Sequence, residues 1–179
     1  MRKAIFLDRD GVLNEAIIRN GRPYPPHDIS EVKILSGVKE ALSLFRAEGF
    51  LIAVITNQPD VSRGQVSKAS VESINSYLKM NLDIDLIRTC YHDDLENCEC
   101  RKPKPGLLFQ IANDYEINLG LSFMIGDRWR DIEAGIGAGC KTCFIDYQYN
   151  QRPPTNFDYK ALTLLQAAHF ILGKNGKSK

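Results

Sequence analysis

The stretch Lys3-Ala4-Ile5-Phe6-Leu7-Asp8-Arg9-Asp10-Gly11 decides how the chain is read. Four apolar residues, Ala4 to Leu7, run without interruption and stop on an acid. The run reads as a strand, and Asp8, Asp10 and Gly11 place two carboxylates and a turn at its carboxyl end. In open α/β sheets that end is where ligands bind. Taken alone, the pattern equally suits a buried strand followed by a solvated acidic turn, because a motif this short is weak by itself. The rest of the chain discriminates.

Working outward, apolar runs and helical periodicities alternate. Residues 37–47 space Val38, Leu42 and Phe45 as a helix does, and residues 51–55 form a second strand that ends at Thr56-Asn57-Gln58. An amphipathic helix is expected over 67–80, a third strand over 85–91, and a helix after Pro105-Gly106 carrying Leu107, Leu108 and Ile111. Phe123-Met124-Ile125 reads as a fourth strand ending at Gly126-Asp127, Arg130 to Ala138 as a helix, and Thr142 to Ile145 as a fifth strand. Residues 160–172 read as one last helix, and the tail 173–179 is expected to be disordered. Such alternation predicts βαβ units and an α/β fold, a Rossmann-like doubly wound parallel sheet, in a single domain over 1–179. Three strand ends then carry polar groups suited to handling phosphate: Asp8 and Asp10, Thr56 and Asn57, and Asp127. Carboxyl ends of parallel strands share one edge, so these groups can converge although they are distant in sequence.

Bulk properties exclude several function classes. At 179 residues the chain suits one domain, and 44% apolar with 25% charged residues is ordinary for a soluble globular protein. A net charge of +1 offers no basis for binding nucleic acid or an anionic membrane. The longest apolar runs, such as Phe50 to Ile55, are too short to span a bilayer, and the start Met1-Arg2-Lys3 lacks the apolar length of a signal peptide. A cytoplasmic monomer is expected. Of five cysteines, three sit at 90, 98 and 100, and an odd, clustered set without a secretion signal points to metal before disulfides. Cys140 and Cys143 read as small core residues, and His27 and His169 as surface or packing residues.

The ordered set Asp8-x-Asp10-Gly11, Thr56-Asn57, Lys102 and Gly126-Asp127-x-x-x-Asp131 resembles the four motifs of the haloacid dehalogenase-like (HAD-like) phosphatases, across almost the whole chain. The string Cys98-Glu99-Cys100-Arg101-Lys102-Pro103-Lys104-Pro105-Gly106 narrows the resemblance. It looks like the branch holding the D-glycero-D-manno-heptose 1,7-bisphosphate phosphatases and the histidinol-phosphate phosphatases. That branch is capless and carries a small zinc loop before the third-motif lysine. Here the gaps between motifs leave room only for single helices and the cysteine loop.

The resemblance implies a mechanism. Asp8 is the nucleophile and forms an aspartyl-phosphate; Asp10 protonates the leaving alkoxide and then deprotonates water. Mg²⁺ is held by the Asp8 side chain, the Asp10 backbone carbonyl and the Asp127 side chain. Thr56 and Asn57 hold the phosphoryl oxygens, with Lys102 adding positive charge. Arg101 and Arg128 recognise the substrate, a sugar phosphate. Cys90, His92, Cys98 and Cys100 bind a structural Zn²⁺, a closed Cys₃His set over 90–100. Asp131 reads equally as a helix N-terminal acid and as a support behind the site. Trp129 and Arg130 receive no role.

The substrate markers are divided. Arg63-Gly64 and Pro105-Gly106 resemble the heptose enzymes, whereas the five-residue gap between His92 and Cys98 resembles the histidinol enzymes. The expected reaction is removal of the C7 phosphate of heptose 1,7-bisphosphate. Histidinol phosphate is the alternative substrate, and a zinc-stabilised binding module without catalysis is the alternative of another class.

Overall fold

The structure, a computed structural model, describes residues 2–173. Strand β1 (Lys3–Leu7) forms where the apolar run predicts it. Ile5 and Leu7 face one side, Ala4 and Phe6 the other, and all four are fully buried. A strand covered on both faces must be apolar without alternation. The chain then makes a small antiparallel hairpin, β2 (Ile17–Arg19) and β3 (Arg22–Tyr24), and a 3-10 turn at Ile29–Glu31. From α1 (Val38–Ala47) onward strands and helices alternate: β4 (Phe50–Asn57), α2 (Lys68–Asn81), β5 (Leu86–Cys90), α3 (Gly106–Tyr115), β6 (Phe123–Gly126), α4 (Trp129–Ala138) and β7 (Lys141–Ile145). A short β8 (Tyr159–Ala161) and α5 (Leu164–Ile171) close the fold.

Six strands form one sheet in the order β5-β4-β1-β6-β7-β8, and every pairing is parallel. Leucine 7 lies opposite Val54 on one side and Ile125 on the other. Asp8, Thr56 and Asp127 follow those residues by one or two positions, so register alone brings them to one edge. The chain leaves β1 toward β4 and β5, then returns to β6 on its other side. That reversal is the topological switch point at which open α/β sheets place ligands.

Helices cover both faces. On one, Leu42 and Phe45 of α1, Ile74 and Leu78 of α2, and Ala167 and Ala168 of α5 pack on Ile5, Leu7, Ile52, Val54 and Ile125. On the other, Leu107, Leu108 and Ile111 of α3 and Ala134 and Ala138 of α4 pack on Phe6, Leu51, Ala53, Ile55 and Met124. Truncating a ring such as the fully buried Phe45 costs about 3–5 kcal/mol. Helix α4 lies close on the sheet because Gly135 has no side chain: a Cβ there would stand 2.6 Å from Met124 Cβ.

Two expectations need correction. Residues 160–172 are not one helix: 159–161 pair with β7, and α5 begins after Thr163, whose hydroxyl accepts from the Gln166 N–H at 3.1 Å. The gaps between motifs hold more than single helices and the cysteine loop, since the β2–β3 hairpin fills the first of them. The expectation of disorder over 173–179 falls, Gly173 apart, outside the described residues. Among the described residues, no helix is long and apolar enough to cross a membrane.

Candidate active site

Asp8 leaves the end of β1 into a cluster of charge. Its Oδ1 accepts from Lys102 Nζ at 2.8 Å, and the same ammonium reaches Asp131 Oδ1 at 2.6 Å and the Ile55 carbonyl at 2.9 Å. Lys102 is 2% exposed and Asp131 1%. Burial opposes the charge on Lys102, but Asp131 and Asp8 outweigh it and raise its pKa. Burial, then the Asp131 charge, push the Asp8 carboxyl up to about 6 against the pull of Lys102. Asp131 has two tasks. One oxygen pairs with Lys102 and the other accepts from the Arg128 N–H at 3.0 Å, so it both caps α4 and supports the site.

Asp127 is different. Both of its carboxylate oxygens are buried and lack a hydrogen bond of ordinary geometry, although the Tyr149 hydroxyl lies near enough to act on the carboxylate. Burial, then the Asp8 and Asp131 charges, hold its pKa well above the carboxylate range. Asp8, Asp127 and Asp131 each offer an oxygen, all within 4.8 Å of one another. Asp131 is committed to Lys102 and Arg128, which leaves the neighbouring oxygens of Asp8 and Asp127 to share a ligand. Two buried carboxylates this close, with no cationic side chain paired to Asp127, form a donor set suited to a hard divalent cation. Glycine 11 makes the approach possible: at φ 87° a Cβ would stand 2.0 Å from Asp127 Oδ2.

Asp10 lies beside this pair with its carboxylate held by Arg9, Asn14 and Gln58. Gln58 also donates to Thr56 Oγ1 at 2.9 Å, which leaves the Thr56 hydroxyl proton available to a ligand. The Asn57 side chain grips the peptide of Lys102: its Nδ2 donates to Lys102 O at 3.0 Å and its Oδ1 accepts from Lys102 N at 3.1 Å. Asn57 thus fixes the lysine that reaches Asp8.

Asp127 faces a neighbouring cavity with Tyr147 and Tyr149. Asp8, Asp10, Thr56, Asn57, Lys102 and Asp131 line a slot of ≈ 50 Å³ walled by Pro23 and Tyr24 of the hairpin and by Arg128 and Arg130. That is room for about four waters, on the scale of a phosphoryl group and too small for a sugar. Arg128 is further held by Gln151 at 3.2 Å. Arg101 turns the other way. It pairs with Asp94 at 3.0 Å and donates to the His92 carbonyl at 3.2 Å, in a cleft next to the slot. Arg130 pairs with the same Asp94 at 2.8 Å and lines both spaces. The guanidinium groups of Arg130 and Arg152 both lie over the Trp129 ring, 4.8 and 4.4 Å from its centre.

The four metal-type residues of the cysteine loop come together. Cys90, His92, Cys98 and Cys100 face one another, with S···S separations of 3.7, 3.2 and 3.4 Å and S···Nδ1 separations of 3.6 and 3.3 Å. A tetrahedral ion bound at ~2.3 Å to sulfur and ~2.0 Å to nitrogen needs edges of about 3.5–3.8 Å. The loop is rooted in the site. Cys90 ends β5 opposite Asn57, and its carbonyl accepts from the Gln58 N–H at 2.7 Å. At its far end the Gly106 N–H donates to the Glu99 carbonyl at 3.2 Å. Cys140 and Cys143 are buried thiols pushed up to about 12 by burial, and neither His27 nor His169 approaches the site.

Arg9, Gln58 and Asp94 were not singled out in the sequence. Only Arg9 carried a signal, its place between the two acids. Tertiary placement gives the others their meaning.

Comparisons with known proteins agree with this geometry. A profile described as HAD-hydrolase-like matches residues 99–157. A D-glycero-beta-D-manno-heptose-1,7-bisphosphate 7-phosphatase of Pasteurella multocida is 38% identical over 152 residues, covering 79% of each chain. One from Helicobacter pylori is 37% identical, covering 85% of this chain and 88% of its own. The crystal structure of a D,D-heptose 1,7-bisphosphate phosphatase from B. bronchiseptica, complexed with magnesium and phosphate, superposes with a TM-score of 0.80 at 27% identity. It covers 96% of this chain and 99% of that one.

Proposed function

The chain belongs to the HAD-like hydrolases, in the family of the D-glycero-beta-D-manno-heptose-1,7-bisphosphate 7-phosphatases, and on that premise we propose that it removes the C7 phosphate of heptose 1,7-bisphosphate. The observation that carries the chemistry is Asp8: a buried carboxylate on a lysine, within 4.8 Å of a second buried carboxylate, Asp127, at a slot of phosphoryl size. The identity to heptose enzymes favours that substrate over histidinol phosphate.

In this reading Asp8 attacks phosphorus, forming a P–O bond as the ester P–O bond breaks. The departing alkoxide takes a proton from Asp10. Water then attacks the aspartyl-phosphate, Asp10 accepts its proton, and free Asp8 and inorganic phosphate result. Lys102 offsets the negative charge gathered at Asp8, and Thr56 donates to a phosphoryl oxygen. Mg²⁺, held by Asp8, Asp127 and the Asp10 backbone carbonyl, would neutralise charge so that two anions can meet. Arg128 at the slot and Arg101 beside it would receive the rest of the substrate, with Asn57 holding Lys102 in register. Zn²⁺ on Cys90, His92, Cys98 and Cys100 would brace the loop that carries Arg101 and Lys102. One domain over 1–179 and a cytoplasmic monomer complete the proposal. Unpaired thiols suit a reducing compartment.

Steady-state kinetics on heptose bisphosphate and histidinol phosphate, side by side, test it. The expected result is a kcat/KM at least about tenfold higher on the bisphosphate, a difference of ~1.4 kcal/mol in transition-state binding. A preference for histidinol phosphate would replace the substrate. No turnover of any phosphomonoester would leave a binding module.

A further inference from the structure

Arg9 sits between the two acids of the first motif, yet its side chain turns away from the slot and is fully buried. Nε lies 3.1 Å from Asp10 Oδ1 and 3.2 Å from Oδ2, and one terminal nitrogen is 3.0 Å from Oδ2. The other terminal nitrogen donates to Asn75 Oδ1 at 3.0 Å. Asn75 comes from α2, is 5% exposed, and is fixed in turn by a 3.1 Å bond to Thr89 Oγ1 on β5. From the opposite side Gln58 Nε2 reaches Asp10 Oδ2 at 2.8 Å, and Asn14 Nδ2 reaches Oδ1 at 3.0 Å. The Arg9 carbonyl accepts from the N–H groups of Leu13 and Asn14, which shapes the turn on which Asp10 stands.

Burying a guanidinium this deeply is costly unless every donor finds a partner. Here its partners are the carboxylate that faces the slot and an amide anchored to the next strand. Arg9, Asn75 and Gln58 do not line the slot, so they can act on a ligand only through Asp10 and Thr56. Asp10 hangs on a short turn and would swivel without them. A proton-transfer group misplaced by about 1 Å can lose on the order of 10²-fold in rate.

We propose that Arg9, braced by Asn75 and opposed by Gln58, is a positioning residue that holds the Asp10 carboxylate in line with the leaving oxygen of the phosphoester. The inference rests on the phosphatase reading above and deepens it: the bracket exists for proton transfer to a poor leaving group. Its loss should therefore matter most where the leaving alcohol most needs a proton.

The test measures kcat/KM, which reports phosphoryl transfer to Asp8, for phosphomonoesters whose leaving groups run from alkyl alcohols to nitrophenol. Arg9→Gln should lose about 10²-fold on the alkyl esters and a few-fold or less on nitrophenyl phosphate, with KM little changed. Gln58→Met removes the amide that donates to Asp10 and to Thr56; beyond a uniform loss through Thr56 it should show the same slope at smaller size, which keeps the test decisive if Arg9→Gln fails to fold. Equal losses across the series, or losses confined to KM, in an active background would overturn the positioning role and leave the phosphatase reading intact. Wild-type protein inert on every ester would overturn both.

Discussion

The catalytic slot and the cysteine loop adjoin in space and sequence but hold their side chains by opposite means. At the slot Asp8, Asp131 and the adjacent Asp127 are 6%, 1% and 1% exposed and stand just past the ends of paired strands or on the first turn of a packed helix, and Lys102, 2% exposed, reaches in from the loop. Between Cys90 and Gly106 there is neither helix nor strand, and Leu95 is 91% exposed. That loop depends on its four converging metal-type ligands and on ion pairs at the surface. The same chemistry weighs differently in the two places. Removing Lys102 would strand the buried Asp8 and Asp131 carboxylates at a cost of about 3–5 kcal/mol. The exposed Arg101–Asp94 pair is worth about 0–1 kcal/mol. Lys102 joins the regions, with its backbone in the loop and its ammonium on Asp8.

The largest break is expected at the centre of the slot. Asp8→Asn should lower kcat by at least about 10⁴-fold, as removal of a covalent nucleophile does, while the circular dichroism spectrum and zinc content stay unchanged. The amide keeps an acceptor for Lys102, which also retains Asp131. Turnover at a tenth of the wild-type rate would end the covalent mechanism.

The same variant separates the regions by stability. Burial raises Asp8 from 3.8 to about 6 in the folded chain. A carboxyl raised on folding contributes stability below its unfolded value and loses it as pH rises through the folded one. In magnesium-free buffer the wild type should therefore weaken relative to Asp8→Asn between pH 4 and 7, by at most ~3 kcal/mol at 1.36 kcal/mol per pKa unit. Urea unfolding across that range would measure it, and parallel profiles would show that Lys102 already compensates the charge. Added Mg²⁺ should reverse the loss in the wild type only.

The two regions also differ in how far the sequence announced them. The slot was legible because strands buried on both faces must be apolar, so Asp8, Thr56 and Asp127 stand out as the first polar residues after such runs. The clustered cysteines were legible by composition. The β2–β3 hairpin was missed although Asn20-Gly21 marks it: both residues adopt positive φ, 52° and 71°, as a tight hairpin turn requires. The start of α5 was misplaced although Thr163 and Gln166 carry a capping signal. Asp131 stayed divided between two readings because a carboxylate has two oxygens, and here each serves one role. What no local pattern could disclose is long-range pairing: Arg9 with Asn75, Asn57 with Lys102, Arg101 and Arg130 on one Asp94.

In the loop, Cys98→Ser should remove one ligand and release Arg101 and Lys102 from their places. Rates should fall by about 10²-fold, the scale of a misplacement near 1 Å. The far-ultraviolet spectrum should hold, because Cys90, Cys98 and Cys100 pack on only one face of the sheet and the core on the other face lies on residues the loop does not touch. Zinc content should drop below one ion per chain. Normal kinetics in zinc-free Cys98→Ser protein would make the loop dispensable and reduce the contrast to one of sequence alone.

The smallest effect concerns the pair that links loop to helix. Asp94 is held well down, at about 2, chiefly by the Arg101 hydrogen bond, with burial opposing and the Arg101 and Arg130 charges assisting. Its side chain is 52% exposed, so solvent screens most of that attraction. Asp94→Asn should cost no more than about 1 kcal/mol of stability. The kinetic consequence should be selective. Arg101 and Arg130 meet at Asp94 outside the slot, where a second phosphate would lie, whereas Lys102 serves the phosphoryl group common to all substrates. Asp94→Asn should therefore change kcat/KM for heptose bisphosphate by a few-fold and leave nitrophenyl phosphate unaffected. Arg101→Ala, which removes a charge-assisted contact worth roughly 1.5–3 kcal/mol, should widen the same gap. An equal fall on both substrates would mean that the pair steadies Lys102 instead, and that loop and slot form one mechanical unit.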